Sequence, residues 1–255
     1  MNKLFHGIDI LTSTASTALR FGMGVNTDPA TLQPDQTLEL YEFENCPFCR
    51  LVREALTELD LDAIIYPCPK GGQRFRPTVS KLGGKQQFPF LVDANQNVAM
   101  YESLDIVRYL FETYGQRPLP ARWRVAPAQV IGSSLSGIPR PWQGRMVRGS
   151  RQPEKLLELY SFESSPYARP VRELLSEMEI PYLLRNCGRG AIGDWVPPPV
   201  RDLTGIKPSS GLRNRAALME RAGRVSIPYL VDPNTGNSMA QSADIVEYLK
   251  KTYGK

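Results

Sequence analysis

The chain carries one pattern twice, and that duplication limits the folds open to it. Leu38-Glu39-Leu40-Tyr41-Glu42-Phe43-Glu44-Asn45-Cys46-Pro47-Phe48-Cys49 returns as Leu157-Glu158-Leu159-Tyr160-Ser161-Phe162-Glu163-Ser164-Ser165-Pro166-Tyr167-Ala168. Val52-Arg53-Glu54-Ala55-Leu56 returns as Val171-Arg172-Glu173-Leu174-Leu175, and Cys68 has its counterpart in Cys187. Further on, Phe88-Pro89-Phe90-Leu91-Val92-Asp93 matches Ile227-Pro228-Tyr229-Leu230-Val231-Asp232, and both copies close on Thr-Tyr-Gly, at Thr113 and Thr252. Two copies are too few for a stacked solenoid. With 255 residues and 42% hydrophobic content, the chain has material for two cores of ordinary size. The expectation is two tandem domains, 1–119 and 120–255. A prelude leads into each: Ile10 to Gly24 corresponds to Val130 to Gly144, and both are rich in small residues and carry an arginine, Arg20 or Arg140, before the closing glycine. Residues 1–33 read as a short helix packed on its own domain, and 120–154 as a linker with the second prelude. Pro118, Pro120 and Pro127 predict an extended linker between Gln116 and Pro127.

Within each copy the pattern predicts strand, helix, strand, irregular insert, two strands and a helix. Thr37 to Glu42 reads as a strand, and Pro47 to Leu59 as a helix with Val52, Ala55, Leu56 and Leu59 on one face. Ala63 to Tyr66 is the second strand, Phe90 to Asp93 and Val98 to Tyr101 form a hairpin, and Ser103 caps the last helix. In the second copy Pro233-Asn234-Thr235-Gly236 is strong turn chemistry. A βαβ unit followed by a hairpin and a helix gives an α/β class, with a mixed four-stranded sheet and flanking helices in each domain.

Cys46-Pro47-Phe48-Cys49 falls where the first strand gives way to the first helix. A cysteine there sits beside unpaired backbone N–H groups and the positive end of the helix dipole, which favour thiolate over thiol. Pro47 suits the first helical position because it has no N–H to lose. Cys49, one turn on, is spaced to attack a mixed disulfide on Cys46. His6 is the only histidine, which excludes His-based triads and His-rich metal sites, and the dithiol has no second ligand pair, so no metal is expected. A balance of 31 basic against 26 acidic residues and a pI near 9.0, without a finger, a basic helix or an aromatic-basic motif, does not point to nucleic acid. Ile8 to Leu19 is too short and too rich in Ser and Thr to span a membrane, and its echo inside the chain argues against a cleaved leader. Four cysteines, two of them in one Cys-x-x-Cys, fit a reducing compartment such as the cytoplasm rather than secretion.

Cys46-Pro47-Phe48-Cys49 after a strand, Phe88-Pro89 before a hairpin and Glu102-Ser103 opening the last helix together resemble the glutaredoxin and glutathione S-transferase N-terminal domain, a thioredoxin fold. The first motif is also similar to that of prostaglandin E synthase type 2. The tandem arrangement resembles that of proteins of photosynthetic bacteria and plastids, which adds the plastid stroma to the compartments. The resemblance implies a cis Phe88-Pro89 bond that turns the backbone of Phe88 toward the cysteine of glutathione. It also implies that Glu102 and Ser103 hold the γ-glutamyl end at a helix N-terminus. Taken singly, Ser103 reads equally well as a plain cap and Pro89 as a turn proline. The second copy keeps this cradle as Ile227-Pro228 and Gln241-Ser242, but Ser165 replaces Cys46 and Ala168 replaces Cys49. It is therefore unable to do dithiol chemistry. Serine-type glutathione transferases use such a hydroxyl to hold the glutathione thiolate, and Ser165 stands in the matching position; a domain kept for packing or partner binding is the alternative. A second thioredoxin-like unit also stands where the transferases carry the all-helical domain that supplies their pocket for the electrophile.

Three functions follow. A glutathione-linked oxidoreductase, in which Cys46 attacks and Cys49 resolves, needs only residues that are present and would act on glutathione or on glutathionylated or disulfide proteins. A glutathione transferase-like enzyme would use Cys46 or Ser165 to hold glutathione. A noncatalytic binding or assembly module is the third, since fold does not fix function. The basic inserts, with Lys70, Arg74, Arg76, Lys81 and Lys85 in one copy and Arg201, Arg213, Arg215, Arg221 and Arg224 in the other, read as a solvated face, or as attraction for the glycine carboxylate of glutathione or for an acidic partner protein. Cys68 reads as a small buried cysteine, or as a further redox thiol if nearby cations lower its pKa. Pro197-Pro198-Pro199 reads as a stiff extended segment.

Overall fold

The computed structural model describes residues 3–18, 20, 22–123, 126–196, 200, 203–206 and 211–255. Pro197-Pro198-Pro199, Arg201 and the side chain of His6 lie outside the described residues. A helix, α1 (Lys3–Ala18), precedes unit one, which runs β1 (Leu38–Glu42), α2 (Pro47–Glu58), β2 (Ala63–Pro67), α3 (Arg76–Gly83), β3 (Phe90–Asp93), β4 (Val98–Met100) and α4 (Ser103–Thr113). Then α5 (Ala126–Gly137) precedes unit two: β5 (Leu157–Ser161), α6 (Arg169–Glu177), β6 (Tyr182–Asn186), α7 (Arg213–Ala222), β7 (Tyr229–Asp232), β8 (Asn237–Ala240) and α8 (Ser242–Tyr253). The inserts are less irregular than expected. Each contains a helix, α3 or α7, because Val79 and Leu218 find apolar cover against the sheet beside Cys68 and Cys187. The linker is also shorter than its prolines suggest: Ala121–Trp123 forms a 3-10 turn, and Pro127 falls in the first turn of α5, where a missing N–H costs nothing.

Each unit has the thioredoxin-type order, but the two four-stranded sheets do not remain separate. Strand β2 pairs antiparallel with β6, Ile64 opposite Leu183, so one eight-stranded sheet runs β4-β3-β1-β2-β6-β5-β7-β8. Within each half the first two strands are parallel and the hairpin joins antiparallel. Among the described residues, joining at β2 and β6 leaves the short strands β4 and β8 as the edges, which limits edge-to-edge association. The main core is correspondingly continuous: Leu38, Leu40 and Ile65 of one unit and Leu157, Tyr182 and Leu184 of the other belong to a single buried cluster.

The preludes depart from the expectation that each packs on its own unit. Helix α5 lies against α2 of unit one, and α1 against α6 of unit two. After each helix the chain returns to its own unit, where Arg20 pairs with Glu54 and Arg140 with Glu173. The returns are made at Gly24 (φ 71°) and Gly144 (φ 72°), left-handed positions that glycine adopts without a steric penalty. A Cβ at Gly24 would lie 2.9 Å from side-chain carbons of Glu54 and Glu163, so these positions need glycine for space as well. Each unit is closed at the far end by an aspartate knot. Asp93 accepts hydrogen bonds from Tyr109 (2.6 Å) and Tyr114 (2.5 Å), and Asp232 from Tyr248 (2.6 Å) and Tyr253 (2.5 Å), which explains the repeated Thr-Tyr-Gly.

Candidate functional site

Helix α2 begins at Pro47 with Cys46 as its N-cap, and the Cys46 Sγ accepts a hydrogen bond from the Cys49 N–H at 3.3 Å. Burial works against a thiolate at Cys46, but hydrogen bonds from the Cys49 side chain and from backbone N–H groups prevail and lower its pKa. Burial pushes the Cys49 thiol well up, and Cys49 is fully inaccessible. This is the asymmetry expected of an attacking and a resolving cysteine. Access is another matter, because α5 lies over the motif. The Ser133 hydroxyl donates to the Pro47 carbonyl at 2.6 Å, and the Asn45 amide donates to the Arg140 carbonyl at 2.6 Å. Cys46 is left 5% exposed, and beside it Arg50, Ser133 and Arg169 help to line a cavity of about 40 Å³. Phe88, Pro89, Glu102 and Ser103, expected to share a site with Cys46, do not line this cavity.

Beneath the motif lies a feature that the sequence reading missed, a buried ionic network across the two units. Arg53 pairs with Glu163 at 2.8 Å and with Glu42, and Arg172 pairs with Glu44 at 2.9 Å and with Glu163 at 3.3 Å. Burial raises the Glu42 carboxyl to about 7 although Arg53 opposes it. At Glu163 burial is outweighed by Arg172, Arg53 and Arg50, which hold the carboxyl at about 2. The available signal was the repeated Val-Arg-Glu followed by apolar residues. On one helix alone such charges read as a solvated face.

The cradle positions are built alike in both units. Phe88-Pro89 and Ile227-Pro228 are both cis. The N-caps of the last helices are Glu102 and Gln241, not Ser103, and both have left-handed φ, 68° and 71°. Non-glycine residues held there cost about 1–3 kcal/mol each, and such strain clusters at ligand clamps. In unit one the clamp is occupied internally: Gln87 donates to the Glu102 carboxylate at 2.6 Å, and the Arg76 guanidinium sits 4.8 Å over the Phe88 ring. In unit two Ser165, Ile227, Pro228, Gln241 and Ser242 all line one cleft of about 650 Å³.

The insert of unit two builds the opposite wall of that cleft. Arg215 is buried and bonds to Asp194 at 3.1 Å and to the Gly188 carbonyl at 2.6 Å, while Asp194 accepts the N–H groups of Gly190 and Ala191. These contacts fix the loop that presents Trp195, half exposed, with the Arg189 guanidinium 4.4 Å over its ring and 5.4 Å from that of Phe162. Arg224 lines the same cleft from the exposed side. Asp194 and Trp195 were not singled out by sequence, since a lone acid and a lone tryptophan in an insert carry no periodic signal. Much of the remaining basic charge serves the fold: Arg74 bonds to the Ser150 and Glu179 carbonyls, Arg76 to those of Cys68 and Pro69, and Arg213 to Asp62. Cys68 and Cys187 are fully buried, and burial pushes both thiols up, which disfavours thiolate chemistry there. Among the described residues no group of three or more His, Cys, Asp or Glu side chains is placed to hold a metal ion, and no helix is long and apolar enough to cross a membrane.

The sequence matches the family described as glutathione S-transferase, N-terminal domain, over residues 40–118 and again over 159–255. The chain belongs to this family. Its two matches coincide with the two thioredoxin-like units. Among solved structures, a glutathione transferase of Bombyx mori is 29% identical over 33% of this chain and 39% of its own, with a TM-score of 0.29. A delta-class glutathione transferase of Nilaparvata lugens is 28% identical over 31% of this chain and 37% of its own, with a TM-score of 0.26. A structure of the Bombyx mori enzyme in complex with GTT is 28% identical over 35% of this chain and 44% of its own, with a TM-score of 0.28. The chain thus spans about two fifths of the length of these transferases, and the TM-scores are too low for the overlays to bear on function. No curated protein matches the chain.

Proposed function

We propose that this protein binds glutathione in the cleft of unit two and activates its thiol there, with Ser165 as hydrogen-bond donor to the sulfur. The observation that carries this reading is the convergence of Ser165, Ile227, Pro228, Gln241 and Ser242 on one cleft of about 650 Å³, ample for a tripeptide. The Ser165 Oγ already accepts the Ala168 N–H at 3.2 Å, which leaves its proton to donate. Gln241 and the N-terminus of α8 suit the γ-glutamyl carboxylate, and Arg224 suits the glycine carboxylate. In this reading the insert wall around Trp195 receives the electrophile.

The dithiol supports glutathione–disulfide exchange less well. Both Cys46 and Ser165 are buried, so the space beside them decides: Cys46 has the right electrostatics, but its cavity of about 40 Å³ leaves no room for glutathione or a protein disulfide without moving α5. Unit one, drawn at residue 119, then carries no glutathione site of its own. Four free cysteines fit a reducing compartment. Calorimetric titration with glutathione tests the assignment. Gln241→Ala and Arg224→Ala should each weaken binding by about 10- to 100-fold, the worth of a charge-assisted hydrogen bond, while Glu102→Ala and Cys46→Ser bind as wild type. Conjugation of glutathione to an aromatic halide should survive Cys49→Ser and fail in Ser165→Ala. Loss of binding in Glu102→Ala with Gln241→Ala unaffected would move the site to unit one.

A further inference from the structure

The cavity beside Cys46 is too small for glutathione, but it is not closed, and its walls are polar. Cys46 meets there the guanidinium-bearing side chains Arg50 and Arg169, both about nine-tenths or more buried, the carboxylate-bearing Glu44, the hydroxyl-bearing Ser133 and Ser134, and Asn45. About 40 Å³ accommodates one or two molecules the size of water. Cys49 is fully buried and hydrogen-bonded to Cys46, so a second sulfur stands behind the first. A polar, partly open pocket that admits only very small molecules to a paired cysteine selects one kind of two-electron oxidant.

We propose that Cys46 and Cys49 form a peroxide-reactive dithiol in which α5 acts as a size filter, admitting hydrogen peroxide and excluding disulfides. The Cys46 thiolate attacks one peroxide oxygen, the O–O bond breaks, and the second oxygen leaves as hydroxide, with Cys46 now a sulfenic acid. The Cys49 sulfur then attacks the Cys46 sulfur, its thiol proton goes to the departing oxygen, and water leaves. The sum is one thiolate, one thiol and one peroxide giving one disulfide, one hydroxide and one water, so two sulfurs lose the two electrons that the O–O bond gains. Arg50 and Arg169 line the cavity where the leaving oxygen becomes anionic, and both are already paired, Arg50 with Glu54 at 3.0 Å and Arg169 with Glu173 at 3.0 Å, so they offer it polar contact rather than net positive charge. The hydrogen bonds that lower the Cys46 pKa keep a larger share of its sulfur in the reactive form. This chemistry is independent of glutathione binding in unit two and stands or falls separately.

The test treats the reduced full-length protein with hydrogen peroxide or with oxidised glutathione and maps the products by peptide mass. Peroxide should produce a Cys46–Cys49 disulfide, 2 Da lighter, at a rate clearly above that of the denatured chain at the same pH, because the folded site both admits peroxide and favours the thiolate. Oxidised glutathione should react no faster with the folded protein than with the denatured one. In Cys49→Ser a dimedone adduct should appear on Cys46. Ser134→Trp, at an exposed position on the rim of the cavity, should slow the peroxide reaction while leaving the melting temperature unchanged. A peroxide rate at or below that of the denatured chain, oxidation first at Cys68 or Cys187, or faster reaction with oxidised glutathione than with peroxide would each overturn the proposal.

Discussion

Arg53 and Arg172 show what the duplication does at the level of single residues. Each guanidinium donates to the main-chain carbonyl just before its own motif, that of Glu44 or Glu163, and each reaches a carboxylate of the other unit. Both are almost fully buried, so the charges have no water to fall back on. A buried ion pair adds little to stability when intact, but removing one partner strands the other and costs about 3–5 kcal/mol. Arg172→Met should therefore lower the unfolding free energy by roughly that amount, read from urea denaturation, although methionine fills much of the same space. The aspartate knots give a prediction with a pH sign. Burial opposes ionisation of Asp93, yet hydrogen bonds from Tyr109, Tyr114 and Asn95 hold its carboxyl below the usual range, and Asp232 is held in the same way by Tyr248, Tyr253 and Asn234. A folded-state pKa below the unfolded one means stability that is present above the unfolded value of 3.8 and lost as pH falls through the folded value. Tyr114→Phe should cost about 1.5–3 kcal/mol at pH 7, a hydrogen bond to a charged group. Its deficit relative to wild type should shrink once the pH drops below that window, as seen in parallel urea titrations.

Elements were legible where periodicity alone decides them, and not where two equal partners compete. β1, α2, β2 and the hairpin fall within a residue or two of the ranges read from the sequence, and Pro47 marks the start of α2 as expected. That Ser165, Ile227, Pro228, Gln241 and Ser242 line one cleft was foreseeable because each repeats a position in unit one. The exchange of α1 and α5 was not, because duplication gives both preludes the same small-residue face and leaves either helix able to cover either motif. Cover over Cys46 follows from that exchange, so the narrow access to the dithiol was equally invisible. Ser103 was misplaced as the cap for a different reason: the chain enters α4 through Glu102 in a left-handed conformation, which an apolar pattern does not encode. The glycine returns allow the exchange itself to be tested. Gly144→Ala combines a left-handed φ with a Cβ placed 2.8 Å from the Glu44 Cβ and 3.2 Å from the Glu173 Cα. Gly223→Ala has a similar φ, 68°, with open space around it, and should cost about 1–2 kcal/mol. Gly144→Ala should exceed that by about another 1–3 kcal/mol of crowding, and equal melting temperatures for the two variants would show that the return past Glu44 is not tight.

At the scale of the molecule, the contacts that cross the boundary near residue 119 predict that it separates repeats in sequence without separating folding units. A chain cut there would leave Ile64 and Ile65 of β2 without Leu183 and Tyr182, turning the middle of a sheet into an exposed edge. It would strip α5 from α2, since α5 belongs to the second half, and α1 from α6. It would also leave Arg53 without Glu163 and Arg172 without Glu44 in surfaces built to be dry. Three independent kinds of contact thus cross the same cut: backbone pairing, helix packing and buried charge. No one of them is expendable, because the core they enclose is a single cluster shared by both units. The consequence is one cooperative transition for the whole chain, with no populated state in which one unit is folded and the other is not. Far-ultraviolet circular dichroism and the fluorescence of a Trp142→Phe, Trp195→Phe variant that keeps Trp123, buried against Phe111, should report coincident urea midpoints. Residues 1–119 and 120–255 expressed separately should be unfolded or aggregated, and mixing them during refolding should restore the native spectrum. A stable, monomeric, native-like half would mean that the shared sheet joins two domains already folded, and that the exchange of α1 and α5 is late docking rather than part of the fold.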